Sequence, residues 1–273
     1  MSQVLTRKSV STWSLHRTLG NFVADDSAVG GGPFMSLPNI DDGIILLELI
    51  PELAAHGYNT VQIVHFHLES TDADYLAEVK DALATNGVHL DALLIDDGNL
   101  MADDIDQHMD WYNRWLDVAE TLGAQHARLC VGRKSPTTEL LHASGARLAE
   151  LAANHPQVRI LAENWMEAIP DAASLLTALE TAGDGVGVLI DLANWSPPEK
   201  YEELAKIAHF AEACHAKCVF SASGPDEVDF RRTLGILKDA DYDAPLALIY
   251  DGPDDDEWAA LEQEWQIVQS VFG

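Results

Sequence analysis

Three apolar runs decide the fold of this chain: VRILAENW at 158–165, VGVLIDLANW at 186–195 and ACHAKCVF at 213–220. Glu163 closes the strand part of the first run, Asp191 closes that of the second, and His215 lies within the third. These residues are spaced 28 and 24 positions apart, about the length of one strand and one returning helix. The pattern predicts parallel strands whose carboxyl ends bring the three side chains together.

Similar apolar runs alternate with amphipathic segments along the rest of the chain, and the whole of residues 1–273 is predicted to be one (β/α)₈ TIM-barrel domain. A doubly wound sheet is the alternative, but it would need a glycine-rich first turn, and the GGGP segment at 30–33 lies far from any predicted strand end and indicates a loop instead. The predicted strands cover 9–14, 59–65, 88–95, 126–131, 157–163, 186–191, 213–220 and 245–250. The predicted helices cover 43–56, 72–85, 103–122, 137–153, 171–182, 199–211, 227–239 and 256–270.

Strand alternation predicts where the three polar side chains point. Residues two apart share a face of a strand, so Glu163, Asp191 and His215 are each predicted to face the barrel interior at its mouth. Two carboxylates and an imidazole suit Mn²⁺, Mg²⁺ or Zn²⁺. Cys214 and Cys218 flank His215 in sequence, but alternation places them on the opposite strand face, which disfavours a metal–thiolate site.

Composition narrows the class of partner. The formal net charge is −29, and such an acidic surface repels phosphate, which argues against nucleic acid and anionic membranes. Hydrophobic residues make up 47% of the chain, but no run is long enough to cross a bilayer, and no secretory signal is recognised. The three cysteines are expected to be reduced thiols, so we expect a cytoplasmic protein.

Several motifs resemble one family in both order and spacing, across essentially the whole chain. They are STWSLHRTLG at 11–20, LAENW at 161–165, LIDLANW at 189–195, HAKC at 215–218 and LIYDGP at 248–253. Together they resemble the sugar phosphate isomerase/epimerase group of the xylose isomerase-like TIM barrels.

The resemblance implies a divalent ion, Mn²⁺ first and Mg²⁺ or Zn²⁺ as alternatives, held by Glu163, Asp191 and His215. It also implies that Glu163 acts as a base beside a substrate carbonyl and that Lys217 stabilises an enediolate oxygen. The family's ligands are Glu, Asp, His and a further Glu at the end of strand eight.

The chain departs from that family at strand eight and after strand six. The position of the last glutamate holds Ile249, while Asp251 has the same strand parity about 7 Å further along. Asp251 is therefore the first candidate for the second catalytic base. Asn194 stands where the family often has a substrate-binding histidine; it can hydrogen-bond a hydroxyl but cannot carry a proton.

Other polar and aromatic residues at predicted strand ends are candidate substrate contacts, each with a structural alternative. Trp13 would form an apolar floor for a sugar ring or pack in the core. His16, with His65 and His67, is an alternative second base, and His67 is also a predicted substrate contact. Arg128 would bind a phosphate or carboxylate, or form a structural salt bridge.

These observations predict an isomerase or epimerase acting on a sugar, a phosphorylated sugar or a related small ketone. A dehydratase using the same metal site is the first alternative, since it needs one main base. A sugar-binding barrel without turnover is the second. A DNA-cleaving enzyme fits least well because of the acidic surface. The resemblance also makes a homo-oligomer an expectation.

Overall fold

The computed structural model describes residues 3–19 and 43–273. The glycine-rich segment at 30–33, predicted to be a loop, lies outside the described residues. Within them, no helix combines the length and the apolar character needed to cross a bilayer.

Eight parallel strands close into a barrel, which confirms the predicted (β/α)₈ architecture. Each strand pairs with the barrel strands that precede and follow it in the chain, and the last strand closes the barrel on the first. The barrel strands are β1 (Lys8–Ser11), β2 (Thr60–Val64), β3 (His89–Ile95), β4 (His126–Leu129), β5 (Arg159–Glu163), β6 (Val186–Asp191), β7 (Ala211–Lys217) and β10 (Leu246–Ile249). Two short strands, β8 (Phe220–Ser221) and β9 (Gly224–Pro225), form a separate hairpin.

Helices surround the barrel and alternate with its strands. Gly87 and Gly123 end two of them with backbone φ of 66° and 75°, a left-handed conformation that glycine adopts without strain. The helices are α1 (Gln3–Thr6), α2 (His16–Leu19), α3 (Leu46–Ala55), α4 (Ala73–Asn86), α5 (Ile105–Leu122), α6 (Thr138–Asn154), α7 (Ala172–Ala182), α8 (Lys200–Ile207), α9 (Glu227–Asp239) and α10 (Glu257–Phe272).

Five predicted strands end before their predicted last residue, and a 3₁₀ turn or a hairpin follows three of them at the mouth of the barrel. The first ends at Ser11, whose side chain accepts a hydrogen bond from the backbone of Trp13 and begins a 3₁₀ turn. The second ends at Val64, because His65–His67 form another 3₁₀ turn. The seventh ends at Lys217, and the hairpin follows. His65, predicted as the last residue of the second strand, and His67 therefore lie in this turn and not on β2.

The buried residues divide between two clusters on opposite sides of the strands. The larger one fills the space between barrel and helices, and it includes Cys214 on the outer face of β7. The smaller one fills the barrel interior with Val64, Phe66, Ala92, Leu94, Leu161, Leu189 and Ala213. Leu161, Leu189 and Ala213 are each two residues before a polar strand-end residue. Alternation therefore turns those polar residues inward, as predicted.

Candidate functional site

The ends of β5, β6 and β7 bring Glu163, Asp191 and His215 together at the mouth of the barrel. Nδ1 of His215 lies 3.2 Å from Oε1 of Glu163 and 3.6 Å from Oδ2 of Asp191. All three residues are buried, and one possible ligand atom from each lies within 4.8 Å of the other two. We call these three residues the mouth cluster.

The second ring nitrogen of His215 is held from inside the barrel. Its Nε2 lies 2.9 Å from Oε1 of Gln62, and the amide nitrogen of Gln62 donates to Asp91 at 2.7 Å. Because the Gln62 oxygen can only accept, Nε2 of His215 must carry a proton, and Nδ1 is the ring nitrogen that faces the carboxylates. Sequence reasoning missed Gln62, although its position two residues before inward-facing Val64 was a usable signal.

Asp191 is oriented by its own turn and by the neighbouring strand. Its Oδ1 accepts hydrogen bonds from the backbone of Ala193 at 2.7 Å and Asn194 at 2.8 Å, which leaves Oδ2 facing His215. The side chain of Asn164 bonds both the backbone N–H and the carbonyl of Asp191. Asn164 therefore fixes the end of β6 to the end of β5. Its place directly after Glu163 was the available sequence signal.

Glu163 has a different neighbour on each oxygen. The side-chain nitrogen of Asn194 donates to Oε1 at 3.0 Å, while Nε of Arg128 lies 3.0 Å from Oε2. Arg128 is buried, forms an ion pair with Asp96 and stacks on Trp165 with its guanidinium carbon 4.7 Å from the ring centre. The structure thus places Arg128 in the predicted structural salt bridge.

The mouth cluster is electrostatically coupled. Burial alone would lower the pKa of His215, but the charges of Glu163 and Asp191 outweigh it and raise that pKa to about 9. Burial alone would raise the pKa of Asp191, yet contact with His215 and the charge of Lys217 hold it below its ordinary value. Both shifts favour the charged forms of His215 and Asp191 in spite of their burial.

The eighth barrel strand, β10, has an apolar residue at the position where the resemblance implies the last metal ligand. Ile249 is buried and lines the mouth, in register with Lys217 on β7. Asp251 turns to Lys217 instead of the mouth cluster, with its Oδ2 at 2.5 Å from the ammonium nitrogen. Burial alone would lower the pKa of Lys217, but Asp191 and Asp251 raise it.

A cavity of about 420 Å³ opens above the mouth cluster, a size typical of small-molecule sites. Its walls include Trp13 and Phe66, whose rings meet edge to face with centres 6.4 Å apart. Four of the five predicted substrate contacts line it, namely Trp13, His16, Arg128 and Asn194, and so do Glu163, Asp191, His215, Lys217, Ile249 and Asp251.

The two histidines after β2 do not line this cavity. His67 is buried, with its Nδ1 2.7 Å from the hydroxyl of Thr12, and Phe66 takes the wall position instead. Burial also lowers the pKa of His67 to about 3. His65 packs edge-on against Trp111 and accepts a hydrogen bond from the backbone of Asp96. The 3₁₀ turn that ends β2 is the reason for both placements.

Comparison with solved structures shows the same fold in several enzymes. The probable 3-DHS dehydratase AsbF of Bacillus anthracis is 12% identical, with a TM-score of 0.69 over 96% of this chain and 98% of that one. D-Psicose 3-epimerase of Clostridium cellulolyticum is 15% identical, with a TM-score of 0.66 over 96% and 99%. The 3-keto-D-glucoside 4-epimerase YcjR of Escherichia coli is 14% identical, with a TM-score of 0.65 over 82% and 94%.

Sequence comparison gives the family. No curated protein matches the chain at a significant level. The model of the xylose isomerase-like TIM barrels matches residues 50–267, which include seven of the eight barrel strands and the mouth cluster. This chain belongs to the xylose isomerase-like TIM-barrel family.

Proposed function

We propose that this protein is an enzyme that isomerises or epimerises a sugar or a related small ketone by moving a proton at the carbon beside the carbonyl. One observation carries the proposal: two carboxylates and an imidazole converge, buried, at the floor of a cavity of about 420 Å³. Burying three ionisable groups together lowers stability, so such clusters occur mostly at functional sites or around a bound cation.

The mouth cluster fits a divalent ion. The donors are two carboxylate oxygens and Nδ1 of His215, which Gln62 keeps available for a ligand by holding Nε2. Glu163, Asp191 and His215 would hold the ion, with Mn²⁺ the first expectation and Mg²⁺ or Zn²⁺ the alternatives. When bound, the ion would polarise the substrate carbonyl and stabilise the charge that develops on its oxygen.

Glu163 is the proposed base that takes the proton. Its Oε1 faces His215 and accepts a hydrogen bond from Asn194, while Arg128 lies beside Oε2. Because Asn194 and Arg128 hold the carboxylate in one orientation, the base needs little reorganisation before reaction. Lys217 lines the same cavity as a cation and is the proposed stabiliser of an enediolate oxygen.

For epimerisation, a proton must be delivered to the other face of the substrate, and two residues are candidates. Asp251 lines the cavity, in contact with Lys217. His16 also lines it, and its Nδ1 lies 2.9 Å from the carbonyl of Trp13, which leaves Nε2 of the neutral ring as a proton acceptor. His16 is the one of the three predicted rim histidines that reaches the cavity.

The substrate class follows from the cavity walls and from the fold relatives. Trp13 and Phe66 offer apolar surfaces for the face of a sugar ring, while Asn194 and Lys217 offer polar contacts to hydroxyls. Two of the fold relatives are named as sugar epimerases. These features support a small carbohydrate or a related ketone as substrate.

A dehydratase is the second candidate, and Ile249 favours it. Because this apolar residue stands where the resemblance implies a second glutamate, Glu163 is the main base of the mouth cluster, and a dehydratase needs one main base. Lys217 could then donate a proton to a departing hydroxyl across the cavity. One fold relative is named as a probable dehydratase.

Solvent exchange separates these reactions. The protein, loaded in turn with Mn²⁺, Mg²⁺ and Zn²⁺, is incubated in D₂O with D-psicose, D-fructose, D-tagatose and 3-DHS, and the products are followed by NMR. We expect deuterium at the carbon beside the carbonyl, with an isomeric product. Exchange with net loss of water identifies the dehydratase. If the protein binds no ion and exchanges deuterium into none of these compounds, the proposed enzymatic activity is refuted and a sugar-binding barrel remains.

Two substitutions identify the second base. If Asp251 returns the proton, Asp251→Asn lowers kcat by about 10²-fold or more, while His16→Asn changes it little. The reverse result assigns that role to His16. Full activity in both variants would contradict the two-base mechanism.

A further inference from the structure

We infer that the chain carries a second divalent-metal site at the opposite end of the barrel, formed by Asp117, Glu120 and His155. Asp117 and Glu120 lie on one face of α5, near its carboxyl end, and His155 follows α6. Both helix ends precede a barrel strand, so these residues lie at the amino-terminal face, away from the cavity. We call them the foot cluster.

The imidazole of His155 is buried and aimed into the foot cluster. Its Nε2 lies 2.9 Å from Oδ1 of Asn113, whose amide nitrogen donates to the carbonyl of Met109 at 2.8 Å. Because Oδ1 of Asn113 can only accept, Nε2 of His155 carries the proton. In neutral His155 the lone pair on Nδ1 then points towards the two carboxylates.

Nδ1 of His155 has no hydrogen-bond partner in the described structure, although it is buried. It lies 3.7 Å from Oδ1 of Asp117 and 3.8 Å from Oε2 of Glu120, distances too long for hydrogen bonds. Ligands at the usual Zn²⁺ distances are about 3.4 Å apart in a tetrahedral site, so a small inward movement would bring these three donors to ligand distance, with water as the fourth ligand.

Glu120 is prepared for this role by the backbone. The N–H of Gln157 donates to Oε1 of Glu120 at 3.0 Å, which leaves Oε2 facing His155. The donor set of one nitrogen and two carboxylate oxygens favours Zn²⁺ or a similar transition ion over Ca²⁺, which prefers oxygen ligands alone. A bound ion would fasten the end of α5 to the end of α6. Its role is therefore structural, and it is independent of the proposed reaction.

Zn²⁺ binding to a variant without the mouth imidazole tests this site. In His215→Asn, stripped of metal with chelator, equilibrium dialysis should show one Zn²⁺ per chain. Saturating Zn²⁺ should also raise Tm by about 5 °C or more. Adding His155→Asn should weaken binding by about 100-fold or more and abolish the Tm shift. Adding Asn113→Leu should weaken it by about 10- to 100-fold.

Two further variants keep the test decisive. The side chain of Asp117 is 73% exposed, so Asp117→Asn should fold normally and still weaken Zn²⁺ binding about 10-fold or more. His89 is an exposed histidine at the start of β3, on the same face, and His89→Asn should leave binding unchanged. No Zn²⁺ bound to His215→Asn, or equal binding in all variants, would overturn the site and leave His155 as an ion-pair partner.

Discussion

The mouth cluster and the foot cluster contain the same three residue types in different surroundings. Each has an aspartate, a glutamate and a histidine, and in each an amide oxygen holds Nε2 of the histidine. At the mouth all three residues are buried, and a cavity opens above them. At the foot His155 is buried, whereas the Asp117 side chain is largely exposed.

The difference shows that a ligand set alone does not make an active site. Around the mouth cluster, Arg128 and Lys217 add positive charge, Asn194 positions a carboxylate and Trp13 supplies an apolar wall. These additions allow substrate binding and charge stabilisation. The geometry of the foot cluster supports only the holding of an ion.

The strongest test of this contrast removes one carboxylate from each cluster. Glu163→Gln should lower kcat by about 10²- to 10⁴-fold, because the proposed base is lost with almost no change in shape. Glu120→Gln is the matched control and should leave kcat unchanged. Turnover and deuterium exchange measure both, and equal activity in the two variants would contradict the assignment of the base.

The next test asks whether the mouth depends on its arginine. Arg128→Met should lower the free energy of unfolding by about 3–5 kcal/mol, because Asp96 and Glu163 then lose their buried positive partner. The control is Lys134→Met, which removes the exposed ion pair with Asp103 and should change the free energy of unfolding far less.

Urea unfolding measures both free energies. Equal losses in the two variants would show that the Arg128 pair contributes no more than a surface contact.

A smaller effect is expected from the residues behind the histidines. Gln62→Leu should weaken Mn²⁺ binding to the mouth cluster by about 10- to 100-fold, because Nε2 of His215 loses the acceptor that orients the ring. Asn113→Leu should leave Mn²⁺ binding to the mouth cluster unchanged. Equilibrium dialysis with Mn²⁺, at concentrations that fill the mouth cluster only, measures each affinity. Unchanged binding in Gln62→Leu would refute the orienting role of Gln62.

The last test concerns Glu264, a carboxyl buried on α10 outside either cluster. Burial raises its pKa well above the ordinary value, so the folded protein keeps its proton at a pH where the unfolded chain has lost it. This contribution to stability therefore falls as pH rises above the ordinary glutamate pKa, by up to about 1.4 kcal/mol per pH unit.

Glu264→Gln should remove that slope. Urea unfolding at pH 5 and pH 8 measures the free energy of unfolding of both proteins. The stability of the variant relative to the parent should be higher at pH 8 than at pH 5. Parallel pH profiles for the two proteins would contradict the burial effect.

Sequence reasoning found the barrel and the mouth cluster because both depend on local patterns. Apolar runs mark strands, and strand-end residues such as Glu163 meet by topology alone. It missed Gln62 because a single polar residue in a strand can equally face outwards at an edge. It misplaced His67 because alternation stops where a 3₁₀ turn begins. The partners of Asp251 and His155 depend on side-chain contacts between elements, which no local pattern encodes.

The hydrogen bonds below His215 all donate in one direction. Nε2 of His215 donates to Gln62, and Gln62 in turn donates to Asp91, deeper in the barrel. Aligned donors polarise one another, so the negative charge of Asp91 reaches the imidazole through two bonds. Polar residues inside the barrel therefore contribute to the electrostatics of the site. A substitution at Asp91 would change the electron density on His215 without touching any group in the cavity.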